Sequence, residues 1–301
     1  MRRIASFVVG FSLALTVAGL AQETAPPVMA PVMVGATFEH LTHTGDSFSS
    51  LGARFGIEST ALARLNGLAP NVKLQPDSLL SIDNRHIVPE QLDRGILVNV
   101  PQRMLFVFEQ GQVVSSYPVA AGRPGWETPL GPFVILTKET DPSWDVPISI
   151  QNEMRRTGKN VVTRVGPGPD NPLGKYWIGL NRGSVGIHGT NAPRSIYHLQ
   201  THGCIRLHPD DVADLFSRVS TGMPGTIIYQ PVLLTVTSEG AVYLEAHKDV
   251  YRRGSDLWQL AQTLADRSGI RDRIDWEIAR RVVSERDGVP HDVSADALSD
   301  R

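Results

Sequence analysis

The stretch from Gly186 to Leu207, GIHGTNAPRSIYHLQTHGCIRL, constrains this chain most because it holds the single cysteine of the protein. A lone cysteine forms no internal disulfide bond, so the thiol of Cys204 is a small buried apolar group, an intermolecular link or a reactive group. Gly203 precedes it, where a missing side chain lets another backbone or a substrate come close. Arg206 follows two residues later and supplies a fixed cation, which favours the reactive thiolate.

The same stretch contains His188, His198 and His202. An imidazole that takes the thiol proton completes the minimum for nucleophilic acyl chemistry. One thiol with a histidine nearby is a weak pattern by itself, however, so these residues alone leave a catalytic and a structural cysteine both open.

Two motifs in this stretch, IHGT at 187–190 and THGCIR at 201–206, resemble the signature of the L,D-transpeptidase (YkuD-type) catalytic domain, HG(T/S) followed by SHGC(I/V)R. Thr201 stands where that family has serine, and it keeps the hydroxyl. The segments PLGPF at 129–133 and DNPLGKYW at 170–177 also resemble parts of this domain. The resemblance covers residues 95–230.

What the resemblance implies is a cysteine acyltransferase of peptidoglycan without a cofactor or a metal. Cys204 attacks a carbonyl of a stem tetrapeptide, the terminal D-alanine leaves, and an amine of another stem peptide or of a lipoprotein accepts the acyl group. His188 transfers the proton, and a backbone carbonyl near His188 or Gly189 orients its other nitrogen. We expect Thr201, His202 and Gly203 to form the active-site loop with its oxyanion hole, and Arg206, Gly189 and Thr190 to bind substrate.

The acceptor is left open by the sequence: a neighbouring stem peptide, a lysine of an outer-membrane lipoprotein, a free D-amino acid, or water, which would make the enzyme an L,D-carboxypeptidase. The family resemblance further implies inhibition by carbapenem-type β-lactams. A nucleic-acid partner is not expected, because the net charge is −2 and no basic patch stands out.

Two other functional classes compete with this reading. Cys204, His188, His202 and His208 are a candidate metal site, although the C-x₂₋₄-C pair of the familiar zinc sites is missing from a chain with one cysteine. Alternatively, the chain is a non-catalytic protein that only binds the cell wall.

The N-terminus predicts export. Residues 1–21 read as a secretory signal peptide, with Arg2 and Arg3 before an apolar run and a small residue, Ala21, at its end. An uncleaved membrane anchor is the alternative, because the run approaches the length of a span. Residues 22–38, rich in proline and alanine, are expected to be an extended linker, and the protein is expected in the periplasm.

Residues 39–83 predict a small βααβ module. Ser47 caps a first helix with Phe48, Leu51 and Phe55 on one face, and Gly56 ends it. A second helix starts at Ser59 or Thr60 and turns Leu62 and Leu65 inward. The segments GDS at 45–47, FG at 55–56, LNG at 65–67 and LLSI at 79–82 resemble the LysM module, which implies binding to the glycan of peptidoglycan.

We predict a mainly β protein with α+β appendages: a β-sandwich catalytic domain over residues 95–230, in which closure to a barrel is also compatible with many short strands. One helix is expected inside it, over Pro209 to Val219, and residues 138–172 are expected to be a long loop forming one wall of a cleft. Residues 231–301 are expected to add strands over 232–243, helices over 257–264 and 274–283, and a frayed end from Asp287.

Overall fold

The structure, a computed structural model, describes residues 33–295. The predicted signal peptide, most of the predicted linker and the last residues of the predicted frayed end therefore lie outside the described residues. Within residues 33–295, no helix has the length and apolar character needed to cross a membrane.

The N-terminal unit has the predicted βααβ order. Its elements are β1 (Met33–Val34), β2 (Thr37–Leu41), α1 (Phe48–Phe55), α2 (Ser59–Leu65), β3 (Leu79–Asp83) and β4 (His86–Ile87). Strands β2 and β3 pair antiparallel, and α1 is capped by Ser47, whose side chain accepts a hydrogen bond from the Ser50 amide. Phe48, Leu51 and Leu62 are buried between the helices and the hairpin, as predicted.

Two details of this unit differ from the prediction. Leu65 is half exposed, not inward, because α2 ends there and its apolar face is already filled by Ala61 and Leu62. The predicted linker does not extend to residue 38, because β1 pairs with β4 and β2 begins at Thr37. Met33 packs beside buried Ile87 and Leu233, which are too far along the chain for a local pattern to reveal.

The central unit contains most of the β structure. Its elements are β5 (Gly95–Asn99), β6 (Met104–Glu109), β7 (Gln112–Gly122), β8 (Gly131–Thr140), β9 (Trp144–Asp145), α3 (Ile148–Arg156), β10 (Arg164–Val165), β11 (Tyr176–Leu180), β12 (Gly186–His188), β13 (Leu199–Thr201), β14 (Ile205–Leu207), α4 (Pro209–Arg218) and β15 (Pro224–Ile228). Helix α4 matches the predicted helix, with Asp210 and Asp211 in its first turn.

The predicted β-sandwich is replaced by one sheet that closes like a barrel. Among the described residues, nine strands join in the order β13-β7-β14-β12-β11-β8-β15-β5-β6, and β7 also pairs with β6. Closure depends on the long strand β7, which pairs with β6 at one end and with β14 and β13 at the other. Strand lengths along the chain do not reveal this double pairing, which is why the sequence left sandwich and barrel unresolved.

Strand β6 explains how the barrel meets the N-terminal unit. Its residues from Met104 to Phe108 are all buried, because Leu105 and Val107 face the barrel interior while Phe106 and Phe108 pack on the outer side in a cluster with Ala53 of α1. A strand buried on both faces reads as a continuous apolar run. The N-terminal unit is therefore docked on the barrel and not separated from it.

The C-terminal unit contains β16 (Val232–Val236), β17 (Val242–Ala246), α5 (Leu257–Arg267), α6 (Trp276–Glu285) and β18 (His291–Asp292). Strands β16, β17 and β18 form a three-stranded sheet. The expected fraying from Asp287 is wrong for residues 287–295, because β18 pairs with β17 and Val293 is fully buried. The predicted helix over residues 274–283 begins later, at Trp276, with Asp275 as its cap, so Ile274 is outside α6 although it is buried.

Candidate active site

The two motifs of the sequence lie on neighbouring strands of the barrel. Strands β12 and β14 pair in parallel, with Ile187 beside Ile205 and His188 beside Arg206. Both isoleucines are fully buried in the barrel core. Because side chains alternate along a strand, His188, Arg206 and Cys204 share the opposite face.

That face opens into a cavity of about 560 Å³. Cys204, His188 and Arg206 all line it, together with Thr201, His202 and three tryptophans, Trp126, Trp144 and Trp177. The volume falls in the range of pockets that hold small molecules or short peptide segments. A thiol, an imidazole and a guanidinium therefore meet in one cleft of suitable size.

His188 is held in a defined tautomer. Its Nδ1 donates to the Gly189 carbonyl at 2.7 Å, so Nε2 carries no proton in the neutral ring. The ring is buried and stacks on Trp177 at 5.9 Å between centroids. Burial, followed by the nearby charge of Arg206, lowers the pKa of His188 to about 3, whereas the carbonyls of Gly189 and Leu173 act weakly in the other direction. The side chain is thus a neutral proton acceptor.

The thiol of Cys204 is neutral as well. Burial raises its pKa, and a backbone hydrogen bond from Gly186 and the charge of Arg206 oppose this effect without reversing it. The half-buried Sγ donates to the Ser184 carbonyl at 3.7 Å. A neutral thiol beside a neutral imidazole reacts when the proton moves to the imidazole during the attack.

The loop from Thr201 to Cys204 is closed by the threonine hydroxyl. Thr201 Oγ1 donates to the Cys204 carbonyl at 2.5 Å and accepts from the Gly203 amide at 3.2 Å. Gly203 has φ of +105°, a conformation that favours glycine. The Thr201 hydroxyl therefore holds this turn together. The Gly203 amide already donates its hydrogen bond to that hydroxyl inside the turn.

His202 faces a residue that the sequence analysis missed. Its Nε2 lies 2.6 Å from Glu153 Oε2, and Arg123 Nη2 donates to Glu153 Oε1 at 2.6 Å. Trp126 packs edge-on against the His202 ring. Hydrogen bonds from Arg123 and His202 lower the pKa of Glu153 to about 2. His202 thus connects the cysteine loop to α3.

Comparison with known proteins agrees with this geometry. The family model of the L,D-transpeptidase catalytic domain (YkuD) matches residues 93–229, and that of the LysM domain matches residues 43–83. The chain is 30% identical to the "Probable L,D-transpeptidase ErfK/SrfK" of Salmonella typhimurium over 98% of both chains. The chain belongs to the L,D-transpeptidase family.

This L,D-transpeptidase family member is also similar to a second bacterial relative and to a solved structure, each over a different share of the chain. The "Probable L,D-transpeptidase YcfS" of Escherichia coli is 28% identical over 91% of this chain and 88% of that relative. A solved structure, "NMR structure of the catalytic domain from E. faecium L,D-transpeptidase acylated by ertapenem", is 21% identical and aligns with 45% of this chain and 98% of that chain at a TM-score of 0.35.

Helix α3 is the main feature of the site that the sequence did not predict. Residues 138–172 were expected to be a loop, but Ile148–Arg156 form a helix between the short strands β9 and β10. Pro147, Ser149 and Ile150 line the cavity, so the expected cleft wall is present in helical form. Gln151, Glu153, Met154, Arg155 and Arg156 are good helix formers and were the available signal. The helix buries only Gln151, so no buried apolar face marked it in the sequence.

The predicted substrate-binding residues separate into two groups. Arg206 lines the cavity, and its Nη1 donates to Ser195 Oγ at 2.9 Å, while its buried Nε has no hydrogen-bond partner among residues 33–295. Gly189 and Thr190 are buried and do not line the cavity. Thr190 Oγ1 accepts from the Ala192 amide at 2.9 Å, so these two residues position His188 and the following turn.

The alternative metal set is not assembled. His208 begins α4, where its Nδ1 accepts from the Asp210 amide, and His202 is paired with Glu153. In the part of the chain that the structure describes, Cys204, His188, His202 and His208 do not bring ligand atoms together at metal-binding distances. His198 is half buried, and burial lowers its pKa.

Proposed function

We propose that this chain is a cysteine L,D-transpeptidase of peptidoglycan that is acylated by a stem tetrapeptide. The observation that supports this most is the placement of Cys204, His188 and Arg206 on one face of β12 and β14, lining one cavity. The family membership agrees with this chemistry.

In the proposed acylation, Cys204 Sγ attacks the peptide carbonyl that precedes the terminal D-alanine. The thiol proton passes to His188 Nε2 as the C–S bond forms. The Gly189 carbonyl, already bonded to Nδ1, stabilises the imidazolium that results. When the tetrahedral intermediate collapses, the C–N bond breaks, and the departing amine of D-alanine takes the proton from His188.

The second half-reaction reverses the proton path. The acceptor amine loses its proton to His188 as it attacks the thioester, the C–S bond breaks, and the leaving thiolate recovers the proton. The oxyanion of each intermediate needs donors from the loop. We assign the backbone amides of His202 and Cys204 to this role, because that of Gly203 is bonded to Thr201.

Arg206 is proposed to bind a carboxylate of the donor. Among the described residues, Arg206 is the arginine or lysine that lines the cavity with Cys204, and its Nε has no hydrogen-bond partner within that part of the chain. Burial lowers the pKa of Arg206, which nevertheless remains a strong cation. Trp126, Trp144 and Trp177 supply apolar surface for the peptide chain.

We propose that residues 39–83 bind peptidoglycan glycan as a LysM module, with the catalytic domain over residues 95–230 and an extension over residues 231–301. The LysM match over residues 43–83 supports the first assignment. Peptidoglycan lies outside the cytoplasm, so we also propose residues 1–21 as a cleaved signal peptide and the periplasm as the location.

The acceptor is proposed to be an amine, either of a neighbouring stem peptide or of an outer-membrane lipoprotein. Free D-amino acids and water would use the same acyl-enzyme, and water would give L,D-carboxypeptidase activity. Carbapenem-type β-lactams are proposed as inhibitors, because their strained acyl carbonyl is open to the same thiol.

The test uses the chain from residue 22 with a soluble tetrapeptide donor and an amine acceptor. Mass spectrometry should detect the acyl-enzyme and the cross-linked product with wild type, and neither with Cys204→Ala or Cys204→Ser. The fold of both variants is checked by circular dichroism. Appreciable transfer by Cys204→Ala would refute the cysteine mechanism. Digestion of walls from cells with and without the protein, followed by mass analysis of the cross-links, identifies the acceptor.

A further inference from the structure

A second group of reactive side chains lies outside the cavity, in the N-terminal unit. His40 is near the end of β2, and His43 and Asp46 are in the loop that leads to α1. One potential ligand atom from each lies within 4.8 Å of the others. Among residues 33–295, this is the one group of three such side chains at metal-binding distances.

The distances are close to those of a tetrahedral metal site. Asp46 Oδ2 lies 3.5 Å from His40 Nε2 and 3.8 Å from His43 Nδ1. Ligands bonded at about 2.1 Å to a tetrahedral zinc ion are separated by about 3.4 Å. The two distances from Asp46 are therefore close to this separation, and all three ligand atoms lie within 4.8 Å of one another.

The group is held in place before any ion binds. The Asp46 carboxylate accepts from the His43 amide at 2.8 Å, and the Asp46 amide donates to the His43 carbonyl at 3.1 Å. Gly45, with φ of +94°, permits the tight turn between them. His40 is on a paired strand, and its ring packs edge-on against Phe55.

His40 supplies the observation that points to a ligand. Its Nε2 is buried from solvent and has no hydrogen-bond partner in the described part of the chain. A buried polar atom without a partner costs about 1–3 kcal/mol unless something satisfies it. This nitrogen lies 3.5 Å from the Asp46 carboxylate, farther than in an ordinary hydrogen bond, and a cation between the two would satisfy both.

We propose that His40, His43 and Asp46 bind a divalent transition metal, with zinc as the matching ion. Two imidazoles and one carboxylate suit zinc, whereas calcium and magnesium prefer oxygen ligands alone. The His43 side chain is largely exposed, which leaves the fourth position to water. The bound ion fixes the loop at Gly45, whose carbonyl accepts from Arg194 of the catalytic domain.

The test is a zinc titration of the full chain from residue 22 in the Cys204→Ala background, which removes the thiol as a competing ligand. Isothermal titration calorimetry with zinc chloride should give one equivalent with a dissociation constant of micromolar order or tighter. His43→Ala, an exposed change that leaves the fold intact, should weaken binding at least tenfold. Asp46→Asn, which keeps an oxygen for the His43 amide, should do the same.

His208→Ala in the same Cys204→Ala background is the matched control, and its affinity for zinc should be unchanged. His208 Nδ1 lies 3.5 Å from Asp210 Oδ2, the same separation as in the proposed site but without a second imidazole. Zinc should also raise the melting temperature of the Cys204→Ala chain but not that of its His43→Ala derivative. Absence of zinc binding by the Cys204→Ala chain, or unchanged affinity in His43→Ala, would overturn the proposal.

Discussion

Glu153 Oε2 and His202 Nε2 lie 2.6 Å apart, and this contact joins α3, which forms one wall of the cavity, to the loop that presents Cys204. Arg123 binds the other oxygen of the same carboxylate. The two motifs of the sequence contain Cys204 and His188, the proposed nucleophile and base, but they contain nothing that indicates α3. The position of the cavity wall therefore depends on an ion pair between residues 49 positions apart.

Removing the Glu153 carboxylate should weaken substrate binding more than it slows the chemical step. We expect Glu153→Gln to raise KM for the tetrapeptide donor by a factor of about two to five, the range for exposed ion pairs, with kcat less affected because Glu153 does not touch the reacting atoms. Steady-state kinetics with Glu109→Gln, an exposed glutamate on β6, is the control. If Glu153→Gln leaves KM unchanged, α3 does not depend on this pair.

Acylation by a carbapenem should depend on His188. We expect His188→Ala to slow formation of the Cys204 adduct at pH 7 by about a hundredfold or more, the usual contribution of a general base. The rate should recover only in part and only at alkaline pH, because burial raises the pKa of Cys204. Time-resolved intact mass measures the adduct, and His208→Ala should react at the wild-type rate. A wild-type rate in His188→Ala would move the base role to His202.

The docking of the N-terminal unit can be tested through Glu58. Arg103 Nη2 donates to Glu58 Oε1 at 3.0 Å, and the Arg103 side chain is almost entirely buried beside Tyr197. Glu58→Gln leaves this cation without its counter-charge, so we expect a loss of about 1–3 kcal/mol in the free energy of unfolding. Urea denaturation compared with Glu109→Gln gives the measurement. Equal stability of the two variants would mean that the Arg103–Glu58 ion pair does not stabilise the docking of the N-terminal unit on the barrel.

A buried carboxylate should make the stability depend on pH. Glu245 accepts from the Ile87 amide at 2.6 Å and from side chains of His86, His247 and Gln102 at 2.8–3.0 Å. Burial alone would raise the pKa of Glu245, but the charges and hydrogen bonds of His86 and His247 outweigh it, so the pKa lies well below its ordinary 4.5. A carboxyl with a lowered folded-state pKa stabilises the protein above pH 4.5, and this stability is lost as the pH falls below that value.

We therefore expect Glu245→Gln to lower the free energy of unfolding at pH 7 by about 3–5 kcal/mol, the cost of breaking a buried ionic network on one side. Its stability should also fall less than that of wild type between pH 4.5 and pH 2. Chemical denaturation across this pH range tests both statements. A parallel decline in the two proteins would show that other groups control the acid transition.

Much of the fold could be predicted because local patterns encode local structure. Helices α1 and α4 follow from caps and periodicity. Ile274 was misplaced by the same reasoning, because a buried residue just before a helix cap fits the helical period by chance.

The sequence by itself determined which residues are proposed to react. Cys204, His188 and Arg206 are within or beside two short motifs, and the chemistry of a thiol, an imidazole and a guanidinium follows from residue type. Only the tertiary structure decided which groups face them. The parallel pairing of β12 and β14 brings His188 beside Arg206, burial sets the pKa values of His188 and Cys204, and long-range contacts recruit Glu153 and α3. The type of each residue can be seen in the sequence, whereas burial and pairing between distant residues exist only once the chain is folded.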